Sequence, residues 1–600
     1  MQTKLHTLLV GAACALLPVS AFAELSFLSG VNVTRGGEIV AFDKANDLVL
    51  TTNSFNAAGF ENHAINIYTL SNTGSLNLTT SVNLNTSVFG AATDILSVSS
   101  VAVDPLGRDF GVASVIPTAN NTTQGRIALF QLSTGTVLKT LDVGYHPDSV
   151  SFTPNGSRLL VANEGEFVTT GAQAPGSVSI VDVSSVSAGA SGVTSLSASN
   201  VTDVNFSTGL AGGVALTGLR NNRLDTLQVK TPDALDVEPE YIASTNDKAY
   251  VTLQENNAIA VVDLTGVNAG KVTDIHLLGT INQRIDASDR DGLANSPATE
   301  RPADLTYTSN FPAAKVDDVV AGMPMPDTAV TFQKNGVQVI ATANEGDFRL
   351  DDVDRVRLRD ASRGTGGSAQ ITDTTAITTA MDSNAVLGRL RISNIDGDTD
   401  ADGKIEVPTM PGTRSFTLWN AETGDIVFDS GSAIEDYVKA NNLASFGIET
   451  GTTGVGFFDS RSDDKGPEPE ALAFGRVNGR DLIFVGAERE NGIFQFDITD
   501  LNNVEITGYY NTVTGTADNG FGAFTSPESI QFIAAADSPT GQALIIVGYE
   551  GVFDASASID ISGSLAVYSV SAIPEPSTAA ALAGFGALGL AALRRRRSSR

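Results

Sequence analysis

The sequence predicts an all-β fold, a β-propeller of seven blades with long loop insertions. Three observations lead there. A phrase of Pro, then Asp or Glu, a short alternating strand, a turn, an apolar strand and a closing Glu recurs along the body. A second apolar alternation, often ending in Asp, follows it and occurs seven times. The composition is 42% hydrophobic with 58 Gly and 21 Pro, enough apolar surface for a large core and many tight turns.

Taken in chain order, residues 1–23 read as a secretory signal. Lys4 supplies the positive start, Leu8 to Leu17 the apolar run, and Ala21-Phe22-Ala23 the small-x-small cleavage site before Glu24. The single cysteine, Cys14, lies in this leader. The exported body therefore has no thiol, no disulfide and no cysteine metal site. The body follows at 24–572. Its first phrase runs from Pro147-Asp148 to Asn163-Glu164, from Pro239-Glu240 to Gln254-Glu255, and from Pro326-Asp327 to Asn344-Glu345. It runs again from Pro469-Glu470 to Glu488 and from Pro527-Glu528 to Glu550, with degenerate copies near Glu38 and Val101. The second phrase is seen at Ile65–Tyr68, Ile127–Leu132, Val178–Val183, Ile259–Leu264, Leu390–Ile392, Ile493–Ile498 and Leu565–Val570. Period-two patterning with turns such as Pro154-Asn155-Gly156 and Lys334-Asn335-Gly336 makes these strands and hairpins. Radial repetition buries both faces of each sheet and leaves only short edges, which suits a propeller. Two β-sandwiches would account for the length but not for a sevenfold phrase. The stretches near 184–236, 265–325 and 346–465 read as insertions rich in Gly, Ser, Thr and Asp. A strand near Leu565 is expected to pair with the start near Leu25–Val33 and close the ring.

At the far end, Pro574-Glu575-Pro576 precedes an apolar run, Thr578 to Leu593, and then Arg594, Arg595, Arg596 and Arg597. Sixteen residues rise about 24 Å as a helix, a short transmembrane span, and the arginines hold its end in the cytoplasm. This order resembles the PEP-CTERM sorting signal of Gram-negative bacteria. The resemblance implies recognition by exosortase-type sorting machinery and delivery to the cell surface or extracellular matrix. The anchor is then transient if the tail is removed and permanent if it is kept.

The stretches VEPEYIAS…AYVTLQENNAIAVVDL, DASDRDG, MPDTAVTF…ATANEGDFR, LGRLRISNIDGDTDADG, FDSRSDDKGPEPEALAFG and SPTGQALIIVGYE resemble the choice-of-anchor I family. These are secreted bacterial proteins that carry one of several alternative C-terminal anchors. Members are also labelled alkaline-phosphatase-like, but a propeller hosts many functions and the label carries little chemistry.

In a four-stranded blade the start of the first strand and the end of the second share one face. The repeat therefore gathers Asp148, Glu240, Asp327, Glu470 and Glu528 with Glu164, Glu255, Glu345, Glu488 and Glu550 around one channel mouth. These carboxylates repel one another unless cations, backbone amides or arginines compensate them. A mouth that binds Ca²⁺ or another hard cation through oxygen ligands is one reading. Hydrogen bonds from the backbone of the neighbouring blade are the other. Departures from the repeat mark further site residues: Asp347, Arg349, Asp351 and Asp352, and Arg461, Asp463, Asp464 and Lys465. Arg349, Arg461, Lys465 and Arg489 are the basic groups nearest the mouth for gripping an anion.

The sharpest metal motif is Asp398-Thr399-Asp400-Ala401-Asp402-Gly403. Carboxylates at alternate positions with glycine at the sixth can wrap a Ca²⁺ ion. Lys404 would offer its carbonyl, and Glu406 stands at position nine. Thr409 occupies the position where an EF-hand needs a bidentate Glu, so a looser calcium loop is expected. Asp286-Ala287-Ser288-Asp289-Arg290-Asp291-Gly292 is a second oxygen-rich loop.

Enzyme constellations are scarce. Beyond the leader only His63, His146 and His276 remain, and no G-x-S-x-G, H-E-x-x-H or P-loop occurs. His146, before Pro147, is the one expected near the mouth. Trp419 reads as part of a buried strand. With 68 acidic against 37 basic residues the net charge is −31, which repels nucleic acid and anionic lipid. Removing both ends takes away Lys4, Glu575 and five arginines, so the exported body is more acidic still. The sequence thus supports a surface- or matrix-directed binding or scaffold protein stabilised by calcium, whose partner is an extracellular protein or polysaccharide. The alternative is a metal-dependent phosphoesterase, alkaline-phosphatase- or phytase-like, that uses the acidic mouth.

Overall fold

The computed structural model describes residues 25–571 except 34–35, 56–61, 169–171, 225–226, 228–231, 283, 289–319, 350–351, 364–380, 382–383, 385, 443–444, 449–458, 513–523 and 555–558. The predicted leader and the predicted C-terminal span therefore lie outside the described residues. Among the described residues no helix is long and apolar enough to cross a membrane.

The chain folds into four-stranded antiparallel sheets met one after another. They cover 40–83, 95–142, 147–205, 242–277, 329–429 and 469–511, and a last one combines 527–570 with 25–33. The first strand of each sheet touches the first strand of the next, and that of the last sheet touches Val40–Asp43 of the first. This cyclic order is propeller-like. The apolar clusters follow the same circuit. Ala41 and Leu50 pack with Ala113 and Phe130 between the first two sheets. Leu160 and Val178 meet Val251 and Ala260 between the third and fourth. Tyr68 and Leu76 meet Leu544 and Ile546 between the last and the first. Each buried Val, Leu, Ile or Phe side chain contributes about 1.5–3 kcal/mol. Alternating strands can supply such side chains to both faces because each sheet is covered on both sides.

The N-terminal strand Leu25–Val33 joins the last sheet beside Gly563–Val570, with Leu25 opposite Val570 and Val33 opposite Gly563. The expected ring closure is thereby met. Polar stitches run between adjacent first strands. Ser529 Oγ accepts from Val40 N (3.0 Å), and Ser100 Oγ accepts from Val150 N (3.3 Å).

The fifth sheet departs from the sequence reading. Its third strand is Phe416–Asn420, not the expected segment at 390–392. Arg391–Ser393 instead pairs with Arg355–Arg357 in a separate two-stranded sheet. Both segments alternate, but the chain makes a long excursion between the second and third strands, and Phe416, Leu418 and Trp419 have the larger apolar surface to bury. Trp419 is buried, as expected, and donates from Nε1 to Thr342 Oγ1 (2.9 Å). The excursion has its own small core of Leu358, Met381, Leu390, Ile392 and Ile405. It is fastened by Arg414, only 1% exposed, which donates to Glu435 Oε1 (2.7 Å) and to the carbonyls of Ser462 and Asp464. The stretches 184–236 and 265–325 also supply outer strands, Val201–Asn205 and Lys271–Leu277, before wandering away.

Candidate functional site: an acidic central cavity and an acidic loop

The repeated phrase has a local mechanism. In four sheets the residue before the phrase's proline takes a left-handed conformation: His146 (φ 47°), Met325 (φ 43°), Glu468 (φ 50°) and Ser526 (φ 55°). In three of these its carbonyl accepts from the residue just after the second strand. Glu164 N bonds His146 O (2.8 Å), Glu488 N bonds Glu468 O (2.8 Å), and Glu550 N bonds Ser526 O (3.0 Å). The register then slips just after the proline, and Asp148, Glu470 and Glu528 fall within the slip. A bulge of this kind re-aims a side chain. The start of one strand and the end of the next are thus tied together, and both acids of a sheet come to the same end.

The result is a cavity of about 520 Å³. Asp148, Glu240, Asp327, Glu345, Glu470, Glu488, Glu528 and Glu550 line it, together with His146 and Arg489. Glu164 and Glu255 stand just behind, close enough to act electrostatically on Glu240. Glu38 of the first sheet lines the same wall. The sequence reading placed a degenerate repeat there but did not count Glu38 as a site residue. Its signal is the spacing Glu38-Ile39-Val40, the same as Glu470-Ala471-Leu472. Ser99 takes this position in the second sheet.

Burial dominates the acid–base state of the wall. It pushes Glu38 up to about 8, with Glu550 and Asp148 adding to it. Asp327 rises to about 8 through burial and then Glu345 and Asp148. Asp148 rises to about 6, again through burial, with His146 opposing. Glu164, Glu240, Glu255, Glu470 and Glu528 are all held well above the usual carboxylate range, burial being the largest cause. Glu488 is pushed by burial to about 8 although Arg489 opposes it. Glu468, which sequence reasoning missed, behaves oppositely. Burial would raise it, but Arg461, Lys465 and Arg489 hold it below the usual range.

The basic groups nearest the mouth are engaged with these acids. Lys465 Nζ lies 2.8 Å from Glu345, 3.0 Å from Glu468 and 3.6 Å from Asp347. Arg489 pairs with Glu488 (2.8 Å) and Glu468 (3.4 Å), and Arg461 pairs with Glu468. Arg349 is outside the cavity wall. It donates to Leu224 O (2.9 Å), and its guanidinium sits 4.4 Å from the Phe167 ring centre. Asp463 binds Arg389 (2.9 Å) and Arg357 rather than facing the cavity. His146 Nδ1 is 2.9 Å from Glu166 and Nε2 is 3.6 Å from Glu164. His63 and His276 lie elsewhere, against Ser54 Oγ (2.8 Å) and Ala421 O (3.3 Å).

The loop at 398–406 is a separate centre. One carboxylate oxygen from each of Asp398, Asp400, Asp402 and Glu406 lies within 4.8 Å of the others. The loop shapes itself: Gly403 N donates to Asp398 Oδ2 (2.9 Å), Asp402 N to Asp400 Oδ1 (3.1 Å), and Thr399 N to Glu406 Oε2 (2.7 Å). Gly403, at φ 88°, makes the turn that a side chain would strain. Asp398 Oδ1 is buried without a hydrogen-bond partner among the described residues. The Lys404 ammonium reaches Asp402 (3.6 Å). No helix flanks the loop in 391–411. Of the second oxygen-rich loop, residues 289–292 lie outside the described residues.

A ring of four-stranded sheets around an acidic hollow defines a propeller-like protein as the class. The profile of the choice-of-anchor I domain matches residues 38–501, and the chain belongs to that family. A PEP-CTERM protein-sorting motif matches 572–597. The protein is therefore secreted and cell-surface-associated in a bacterium, and its sorting is exosortase-dependent. Gigasin-3a of Magallana gigas is 33% identical over 178 residues, 27% of this chain. The match spans 61% of that relative's length. Among solved structures, hydrazine synthase of Kuenenia stuttgartiensis aligns at TM-score 0.39 and 9% identity, covering 90% of this chain and 97% of that one. The periplasmic gluconolactonase PpgL of Pseudomonas aeruginosa aligns at TM-score 0.35 and 10% identity, covering 78% and 84%. Likeness at that level carries no functional argument.

Proposed function

We propose that this protein is a seven-bladed β-propeller exported by a Gram-negative bacterium to its surface or matrix. It acts there as a binding scaffold for an extracellular protein or polysaccharide and is stiffened by Ca²⁺ in the loop at 398–406. The observation that carries the calcium reading is the convergence of Asp398, Asp400, Asp402 and Glu406 within 4.8 Å. Carboxylate oxygens alone, spaced by a glycine turn, suit a hard cation that accepts six to eight oxygens. The scaffold role is favoured over phosphoester hydrolysis by the state of the basic groups. Lys465, Arg461 and Arg489 are held by carboxylates, and Arg349 is away from the cavity.

Calcium analysis and thermal melts of the purified chain test this reading. Asp400→Ala is expected to lose one bound ion and part of the calcium-dependent rise in Tm. Hydrolysis of p-nitrophenyl phosphate is expected to stay at background with and without Ca²⁺. Unchanged calcium content in Asp400→Ala would retire the loop site, and calcium-dependent turnover would retire the scaffold.

A further inference from the structure

The cavity carboxylates are not evenly spread. They converge in three overlapping sets, each with ligand oxygens within 4.8 Å: Asp327, Glu345 and Glu470; Glu470, Glu488 and Glu528; and Glu345, Glu468 and Glu488. The third set is already neutralised, because Glu468 faces Arg461, Lys465 and Arg489. The other two share one residue, Glu470. Its Oε2 is buried with no hydrogen-bond partner among the described residues, while its carboxyl group is hydrogen-bonded to that of Glu528. Asp327, Glu470 and Glu528 have no ion pair among the described residues, whereas Glu345 and Glu488 are steadied by Lys465 and Arg489.

An independent observation points to a ligand in the same hollow. Glu240 lines the cavity and is only 8% exposed. Its carboxylate has neither a hydrogen bond nor an ion pair among the described residues, and its electrostatic neighbours, Asp327 among them, are all acidic. A carboxylate buried in this setting needs a proton or a cation to offset its charge. Every group converging on the two sets offers oxygen, which selects hard divalent ions over thiophilic or nitrogen-seeking ones.

We propose that the central cavity is a two-cation centre for hard divalent ions, bridged by the Glu470 carboxylate. One ion sits on Asp327, Glu345 and Glu470. The other sits on Glu470, Glu488 and Glu528. Lys465 and Arg489 orient Glu345 and Glu488 from behind, as outer partners of metal ligands do. Three carboxylates leave each ion with coordination positions open to the cavity. This centre goes beyond the calcium loop and stands or falls separately from it.

Mn²⁺ alone is a suitable probe, because two ions roughly 3.5–4 Å apart couple magnetically while the isolated loop ion does not. The full chain, stripped with chelator and dialysed against Mn²⁺, is expected to hold about three ions and to give an exchange-coupled electron paramagnetic resonance spectrum. Glu470→Gln is expected to lose the coupled spectrum and fall to about one ion, while Asp400→Ala keeps the coupling and loses one ion. Asp327→Asn and Glu528→Gln should each lose one ion and the coupling. A wild-type spectrum of isolated ions only overturns the proposal whatever the variants do, as does a Glu470→Gln variant with wild-type metal content. Melting in chelator guards against misfolding, since Glu470→Gln removes a buried charge and should melt no lower than wild type there but lower than wild type in Mn²⁺.

Discussion

The loop at 398–406 and the central cavity use the same side chain at opposite cost. In the loop, Asp400 and Asp402 are exposed, and the chain's own amides stabilise Asp398, Asp400 and Glu406. In the cavity, six of the four-stranded sheets bring acids together from distant parts of the sequence and remove them from water. There the ring itself bears the repulsion. The difference teaches that an acidic site assembled by tertiary structure is coupled to global stability, whereas one assembled by local turns is not.

The largest expected effect breaks the balance in the cavity. Lys465→Met leaves Glu345 without its nearest cation and removes one of the three that face Glu468. It should cost about 3–5 kcal/mol in denaturant unfolding, as removal of one partner from a buried ion pair does. The pH response comes next. A carboxyl whose folded pKa is raised binds its proton more tightly in the folded state. Its penalty is absent below the unfolded value near 4.5, grows as pH rises, and is complete above the folded value. Glu38, Asp327 and Glu488, raised to about 8, place that window between about pH 4.5 and 8. In chelator, Tm should therefore fall by roughly 5–10 °C across this window, and divalent cation should flatten the fall. A chelated protein equally stable at pH 5 and pH 8 would break the comparison.

Smaller effects sharpen it. Glu240→Gln should raise Tm in chelator at pH 8 and leave it unchanged at pH 4.5, because the carboxyl is then protonated. Glu406→Gln in the loop should change metal-free stability by less than about 0.5 kcal/mol, the usual range for surface changes. Equal effects at the two positions would mean that the loop, too, is built into the fold.

The same distinction governs what the sequence disclosed. The cluster at Asp398-Thr399-Asp400-Ala401-Asp402-Gly403 was legible because its carboxylates are neighbours in sequence, and Gly403 turns as expected. The ten repeated acids were legible because the Pro-Asp/Glu phrase fixes their phase. Eight of them line the cavity. Glu468 was not legible as a partner of Arg461, Lys465 and Arg489, since its role depends on the left-handed turn before Pro469. Nor was the engagement of Lys465 with Glu345, which pairs two loop residues 120 positions apart. The third strand of the fifth sheet was misplaced because period-two alternation at Leu390–Ile392 and at Phe416–Asn420 looks alike until burial chooses between them.

The strand that closes the ring has a mechanical consequence. Gly563–Val570 is hydrogen-bonded on one side to Ala543–Tyr549 and on the other to Leu25–Val33. The sorting motif begins two residues beyond it. Tension on a tethered tail is therefore delivered to an inner strand of the last sheet, and pulling that strand free by force requires two ladders to shear together.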